Sequence, residues 1–294
     1  MTSRNRRKTG RTTGALAILA AGCLPVTGGL AAEPAWPGGQ RPVLALVAFG
    51  TSVEKARQVY AHIEERTRQA FPGYEIRWGF TAESIVKKLR EKGVSSQTVA
   101  ELAAALQTEG KSAVVLQSLH VAPGGEFEEL RKVDFGSLRK AYGAPLLSTD
   151  EDIEDVVRAL SGEVRAGSVN VVVCHGNDKV PEFNRQLVAF AKAMEARHPN
   201  VVVASVEGQP GTEEPLKRAR TMAEKTGAVH FIPLMIVAGD HIMNDVLGDE
   251  PDSWKNQVGA KTVTCSEPLG QNDAVLAVFH RHLKQALAEL ASQP

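Results

Sequence analysis

Three residues whose types could hold a metal ion follow three apolar runs in the second half of the chain. His175 comes directly after residues 168–174 (Ser-Val-Asn-Val-Val-Val-Cys), Glu207 directly after residues 200–206 (Asn-Val-Val-Val-Ala-Ser-Val), and His241 shortly after the run from Val229 to Val237. Runs of this kind, rich in aliphatic and β-branched residues and bounded by turn residues, read as buried strands of a parallel sheet. Open α/β folds gather their ligands at the C-terminal ends of such strands. If the three strands are neighbours, their ends share one rim, and two imidazoles and a carboxylate meet there. That donor set suits a divalent transition metal, because neutral imidazole is a borderline ligand and a carboxylate neutralises charge. Three protein ligands also leave a coordination position open, as catalysis or transfer requires. Taken singly, a histidine or glutamate at a strand end is more often a loop hydrogen-bonder. The joint occurrence at consecutive strand ends is what carries the metal reading.

The elements that must position these residues alternate between strand and helix, the pattern of parallel sheets flanked by helices. A strand over Val43 to Ala48 runs into Phe49-Gly50-Thr51-Ser52. Thr51 and Glu54 have capping-box spacing, and Val53, Ala56, Val59, Ile63 and Ala70 then recur at helical intervals. A strand near 74–80, helices over 84–91 and 97–109, and a strand over 113–119 ending in His120 follow. The second half repeats this order. Gly50 and Gly176 follow the two first strands, and the same offset sets Thr81 opposite Glu207; residues 119–124 likewise parallel 234–239, which sets Glu126 opposite His241. The expected fold is therefore α/β, two similar lobes facing across a cleft, spanning 41–165 and 166–294. The second lobe would carry the metal site and a terminal helix. Asn272 or Asp273 caps that helix, Leu276, Phe279, Leu283, Leu287 and Leu290 form its apolar stripe, and His280 and His282 are expected off the stripe in solvent.

Composition narrows the class. The 294 residues are 43% hydrophobic, ample for a sizeable core. Basic and acidic residues number 34 each, but Arg4, Arg6, Arg7, Lys8 and Arg11 precede the first acid, Glu33. Without them the chain has a net charge of −5, that is, 29 basic against 34 acidic residues. No basic stripe with interleaved aromatics is present, which argues against a nucleic-acid binder. The basic start, the apolar stretch from Ala15 to about Val26 and the small residues at 29–32 read as an export signal over 1–32, followed by a linker over 33–40. The apolar stretch is too short for a comfortable membrane span. The expected destination is the periplasm, with Cys23 as a rival lipoprotein site. Cys174 and Cys265 then remain, too few for a disulfide framework.

Across most of its length the chain resembles the anaerobic sirohydrochlorin cobaltochelatases, relatives of the ferrochelatases. The segments that carry the likeness are residues 47–52 (Val-Ala-Phe-Gly-Thr-Ser), 79–81 with 85–89, 117–120 (Gln-Ser-Leu-His), His175-Gly176, Val206-Glu207, 233–235 with 237–241 (Val-Ala-Gly-Asp-His), and 252–255 (Asp-Ser-Trp-Lys). The resemblance implies a two-lobed chelatase that inserts Co²⁺ into sirohydrochlorin, with His175, Glu207 and His241 as metal-binding and catalytic residues. Phe49, Gly50, Thr51, Ser52, Thr81 and His120 would meet the macrocycle, His120 alternatively bonding a loop carbonyl. Cys174, Gln209 and Gln271 depart from the family's usual residues, and none of these changes removes a ligand. Lys87, Lys88 and Arg77 are candidate partners for the substrate's carboxylates. First-row affinities overlap, so Fe²⁺ is an alternative metal on ligand chemistry alone. An export signal also leaves open a haem or iron carrier, with haem at a separate histidine such as His62, His198 or His230. No organic cofactor is required, and a homo-oligomer is compatible with the sequence.

Overall fold

The computed structural model describes Trp36 and residues 39–293. The expected export segment, and the linker apart from Trp36, Gly39 and Gln40, lie outside the described residues. Two four-stranded sheets, parallel throughout, organise the chain. The first contains β1 (Val43–Ala48), β2 (Ile76–Phe80), β3 (Ala113–Ser118) and β4 (Arg139–Gly143) in the order β2-β1-β3-β4. The second contains β5 (Val169–Cys174), β6 (Val201–Ser205), β7 (Ala228–Pro233) and β8 (Thr262–Cys265) in the matching order β6-β5-β7-β8. Parallel neighbours require crossovers. In the first lobe α1 (Glu54–Ala70), α2 (Glu83–Glu91), α3 (Val99–Thr108) and α4 (Gly125–Lys132) supply them, and α5 (Asp150–Ser161) leads into the second lobe. There α6 (Arg185–Arg197), α7 (Glu213–Thr226) and α8 (Trp254–Val258) do the same, and α9 (Asp273–Ser292) closes the chain. Among the described residues no helix is long and apolar enough to cross a membrane.

Strand periodicity divides the core. Leu44, Leu46 and Ala48 of β1 point to one side, with Val172 and Cys174 of β5, and join a single apolar cluster that spans both lobes. The alternate residues, Val43, Ala45 and Val47, pack with α3, whereas Val169, Val171 and Val173 pack with α7. Each central strand is thus buried on both faces, as its unbroken apolar run requires.

Backbone hydrogen bonds show how far the two lobes repeat. Leu119 and Leu234 donate to Val47 and Val173, and Leu146 and Leu147 donate to His120 and Val121 as Leu269 and Gly270 do to Met235 and Ile236. His120 therefore corresponds to Met235, and Glu126 to His241 as expected. The ladder corrects one pairing. Thr81 donates to Ala48 as Val206 does to Cys174, and Ala82 donates to Phe49 as Glu207 does to His175. The residue opposite Glu207 is Ala82, because strand pairing and not sequence offset sets the register. The expected capping box at Thr51 is also absent. Thr51 Oγ1 accepts the Val53 N–H at 3.2 Å, and α1 begins at Glu54 without a side-chain cap.

The terminal helix differs from expectation in its partner. Asn272 caps it, but α9 crosses back to pack on β4 and β3 of the first sheet. His282 is 4% exposed and not solvated: its Nε2 meets Asp152 Oδ1 at 2.8 Å, and its Nδ1 faces the Ala144 carbonyl at 3.0 Å. His280 is half-buried, edge-on to Phe71 and 3.3 Å from Thr67 Oγ1. Asp152, 2% exposed, also closes the α5 capping box with Thr149 and receives Arg281 at 2.5 Å. Burial pushes its carboxyl upward, but the bonds from Thr149, His282 and Arg281 outweigh that and hold it below the ordinary value. Since the folded state depresses this group, its contribution is present above the unfolded value near 4 and is lost as pH falls through the folded one. Asp152→Ala removes the carboxylate partner of buried His282, one of the two carboxylates on Arg281 and the α5 capping box, and should cost about 2–3 kcal/mol at pH 7. The difference in urea midpoint between wild type and variant should shrink below about pH 4 as the wild-type carboxylate is protonated. An unchanged midpoint at pH 7 would remove this latch from the account of stability.

Candidate metal and macrocycle site

Both sheets change strand direction of travel at their centres: the chain goes from β1 to β2 on one side and then to β3 on the other, and likewise from β5 to β6 and β7. The crevice at such a switch point is where open parallel sheets bind ligands. Phe49 and His120 flank it in the first lobe, His175 and Met235 in the second.

His175 follows β5 immediately, and its exposed ring is oriented by its own loop. Nδ1 stands 2.9 Å from the Gly176 carbonyl oxygen. A carbonyl only accepts, so Nδ1 carries the hydrogen and the lone pair lies on Nε2. Glu207 sits two residues beyond β6, and its N–H donates to the His175 carbonyl at 2.8 Å. The two loops interleave so closely that side chains are excluded. Gly176 has φ +79°, and a Cβ there would stand 1.8 Å from the Glu207 carbonyl oxygen; Gly208 has φ +60°, and its Cβ would stand 2.1 Å from the Asn177 carbonyl oxygen. Buried Asn184 locks the same loop, accepting the Asn177 N–H at 2.8 Å and donating back to the Asn177 carbonyl at 2.6 Å. Beneath it, burial pushes the Cys174 thiol up to about 12, so that cysteine is inert core.

His241 arrives from further away. β7 ends at Pro233, shorter than the apolar run suggested, and residues 234–240 continue without strand pairing of their own. The base of this segment is pinned against the first lobe at Gly270, where a Cβ would lie 2.3 Å from Val59 Cγ1 and 2.7 Å from the Ile236 oxygen. His241 then opens a single π-helical turn, His241–Val246, anchored by buried Ile242 and Val246. Its Nδ1 stands 2.6 Å from Asp245 Oδ2, so here too Nε2 is the free nitrogen. The His175 and His241 rings meet at 4.9 Å between centroids, tilted by 80°.

The structure thus brings His175 and His241 together, with Glu207 joined to His175 through its backbone. Among the described residues no three His, Cys, Asp or Glu side chains converge into a ready metal cage. The arrangement is an open pair of imidazole donors beside a carboxylate-bearing loop, suited to accepting and releasing a divalent ion more than to sequestering one.

The first lobe presents a different wall. Phe49 is 50% exposed at the end of β1, Gly50 takes φ +106° against Ile85 and Phe80, and Thr51 is buried beside Gly239 of the His241 loop. The Ser52 carbonyl receives Lys92 Nζ at 3.3 Å. Thr81 Oγ1 and His120 Nε2 are buried without partners. His120 Nδ1 bonds Ser118 Oγ at 2.8 Å in place of a loop carbonyl, and burial pulls the imidazole down to about 4, so it is neutral near pH 7. Arg77 is engaged by Glu75 and Glu109 near the start of β2, away from the rim, which removes it as a substrate cation. Lys87 and Lys88 stay on the exposed face of α2. His62, His198 and His230 bond Asp273, Ser161, and Thr264 with Ser266 respectively. Sequence reasoning missed Asp245 and Asn184. The four-residue spacing from His241 was the available signal for the first, and nothing local marked the second.

A family model described as Cobalt chelatase (CbiK) matches residues 43–288. The chain belongs to this cobalt chelatase family. A sirohydrochlorin cobaltochelatase of Salmonella typhimurium (strain LT2) is 30% identical over 257 residues, covering 84% of this chain and 97% of the relative. Sirohydrochlorin cobaltochelatase CbiKC of Nitratidesulfovibrio vulgaris (strain Hildenborough) is 26% identical over 260 residues, covering 84% and 91%. Among solved structures, SirB from Bacillus subtilis with Fe3+ aligns with TM-score 0.59 at 16% identity, over 85% of this chain and 97% of its own. CbiX, whose structure is described as that of the terminal enzyme for siroheme biosynthesis in denitrifying bacteria, aligns with TM-score 0.53 at 17% identity, over 84% and 99%. These structural likenesses establish a chelatase fold.

The interleaved loops make a sharp prediction. Gly176→Ala adds a Cβ where the Glu207 carbonyl stands and forces a left-handed backbone, a cost of about 1–3 kcal/mol. Thermal unfolding should show that loss, and anaerobic Co²⁺ titration should show weaker binding than Gly259→Ala, a positive-φ control outside the rim. Equal behaviour of the two variants would count against the loop as the organiser of the site.

Proposed function

We infer that this chelatase inserts Co²⁺ into sirohydrochlorin, with His175, Glu207 and His241 receiving the ion and the first-lobe residues Phe49, Gly50, Thr51, Ser52, Thr81 and His120 receiving the macrocycle. The observation that carries the reading is the pair of imidazoles at the switch point, both with Nε2 free and ring centroids 4.9 Å apart in an edge-on contact, in a chain of the cobalt chelatase family. Insertion requires the ion to shed most of its water, the macrocycle to bend, and two pyrrolic N–H protons to leave. Imidazole and carboxylate donors replace water without enclosing the ion, and a second-lobe base accepts protons as pyrrolic nitrogens take over the coordination. Phe49 offers an apolar face to the ring, and neutral His120 with the unpartnered Thr81 hydroxyl offers hydrogen bonds without adding charge.

Anaerobic absorbance with sirohydrochlorin and Co²⁺ tests this directly. Wild-type protein should produce the cobalt product over many turnovers, and His241→Ala should lose roughly 100-fold in rate, about 2.7 kcal/mol of transition-state stabilisation. Spectra showing stoichiometric binding without turnover would instead mark a carrier built on a chelatase fold.

We further propose that residues 1–32 direct the chain to the periplasm, supported by their basic start, apolar stretch and small residues at 29–32. Fractionated cells should show a shortened chain beginning after residue 31 or 32 in the periplasmic fraction. A full-length chain confined to the cytoplasm would overturn this.

A further inference from the structure

We propose that Asp245 is the positioning residue that fixes His241 as an Nε2 donor and makes it the firmer of the two imidazoles toward the incoming ion. The proposal rests on the metal-site reading given above. The two rings are oriented by different partners. His175 donates from Nδ1 to a neutral carbonyl at 2.9 Å, whereas His241 donates from Nδ1 to a carboxylate at 2.6 Å. A charge-assisted bond of that length draws the hydrogen toward the carboxylate and raises the electron density left on the other ring nitrogen.

Local structure is built to make this contact. In the turn His241–Val246 the Leu247 N–H closes on the Ile242 carbonyl at 3.1 Å, five residues back. In that turn residues i and i+4 share one face, and the Asp245 carboxylate reaches the Nδ1 edge of the His241 ring. A Cβ at Gly248 would stand 2.2 Å from the Asn244 carbonyl oxygen, so the chain leaves the turn only with glycine there. Asn244 is tied separately to Asp240 Oδ1 at 2.7 Å. Among the described residues the Asp245 carboxylate has no side-chain hydrogen-bond or ion-pair partner except His241. With the two side chains 45% and 37% exposed, the pair adds little to stability. Its effect falls on the ring: which nitrogen is protonated, where the free lone pair points, and how strongly it donates. His241 is then the donor that holds the ion longest, and His175 the one a pyrrolic nitrogen displaces first.

Asp245→Ala and Asp245→Asn in the otherwise intact chain, beside His241→Ala, test this with the metal alone. Anaerobic Co²⁺ titration, followed by visible absorbance, should show affinity falling about 10–100-fold in Asp245→Ala, the usual effect of removing such a partner. Asp245→Asn, which keeps an acceptor without the charge, should fall between the two. Nitrogen NMR of the metal-free protein should show the Nδ1–H form of His241 in wild type and a mixture of both forms in Asp245→Ala, a change that a purely structural role would not produce. Wild-type Co²⁺ affinity and an unchanged tautomer in Asp245→Ala, with binding lost in His241→Ala, would overturn the proposal and leave the metal site standing. Undiminished Co²⁺ binding in His241→Ala would overturn the site reading itself.

Discussion

The parallel pairing of β5 with both β6 and β7 is the constraint on which the rest of the structure depends. Parallel strands joined by crossovers send every C-terminal end to the same rim, so residues far apart in sequence arrive at one place without any local interaction between them. The rim then has to be tightened. The β5 and β6 loops pass so close that Gly176 and Gly208 can carry no side chain, and the Glu207 N–H is spent on the His175 carbonyl. Backbone packing thereby holds His175 and the Glu207 loop in register, and leaves the imidazole Nε2 unused by the protein.

The two lobes repeat one plan and divide its chemistry. Equivalent positions carry Phe49 and His175, Ala82 and Glu207, Glu126 and His241, His120 and Met235. The proposed metal donors therefore lie on one wall, and an apolar ring and a neutral imidazole on the other. A continuous apolar cluster through both lobes keeps the walls in fixed relation, and α9 adds a strap by returning to β4 and β3. Asp152, Arg281 and His282 secure that strap, and Gly270 presses the base of the His241 segment against α1. Wedging the walls apart at Gly270 would move His241 relative to His175, although neither residue touches it.

Much of the fold was legible because its strands are long apolar runs ending in polar residues. β1, β3, β5, β6 and β7 all announced themselves that way, whereas β4 and β8, short edge strands with mixed composition, did not. The errors have a common source. Thr51 and Glu54 have the spacing of a capping box, but α1 begins at Glu54 with Val53 at its N-cap, which leaves Thr51 two residues outside it. Sequence offset puts Thr81 opposite Glu207, while the ladder pairs Ala82 there. The leucine stripe of α9 points His282 toward solvent, yet a buried carboxylate from another helix receives it.

By itself the sequence determined the fold class, the strand ends that carry His175 and Glu207, and the family likeness, because hydrophobic period and turn chemistry act over a few residues and are written locally. Only the tertiary structure decided which donors meet. The contact between the His175 and His241 rings, the carbonyl and carboxylate that select their free nitrogens, and the buried partner of His282 depend on crossings between elements distant in sequence. Those contacts are set by close packing of the whole core, which no short window of residues encodes.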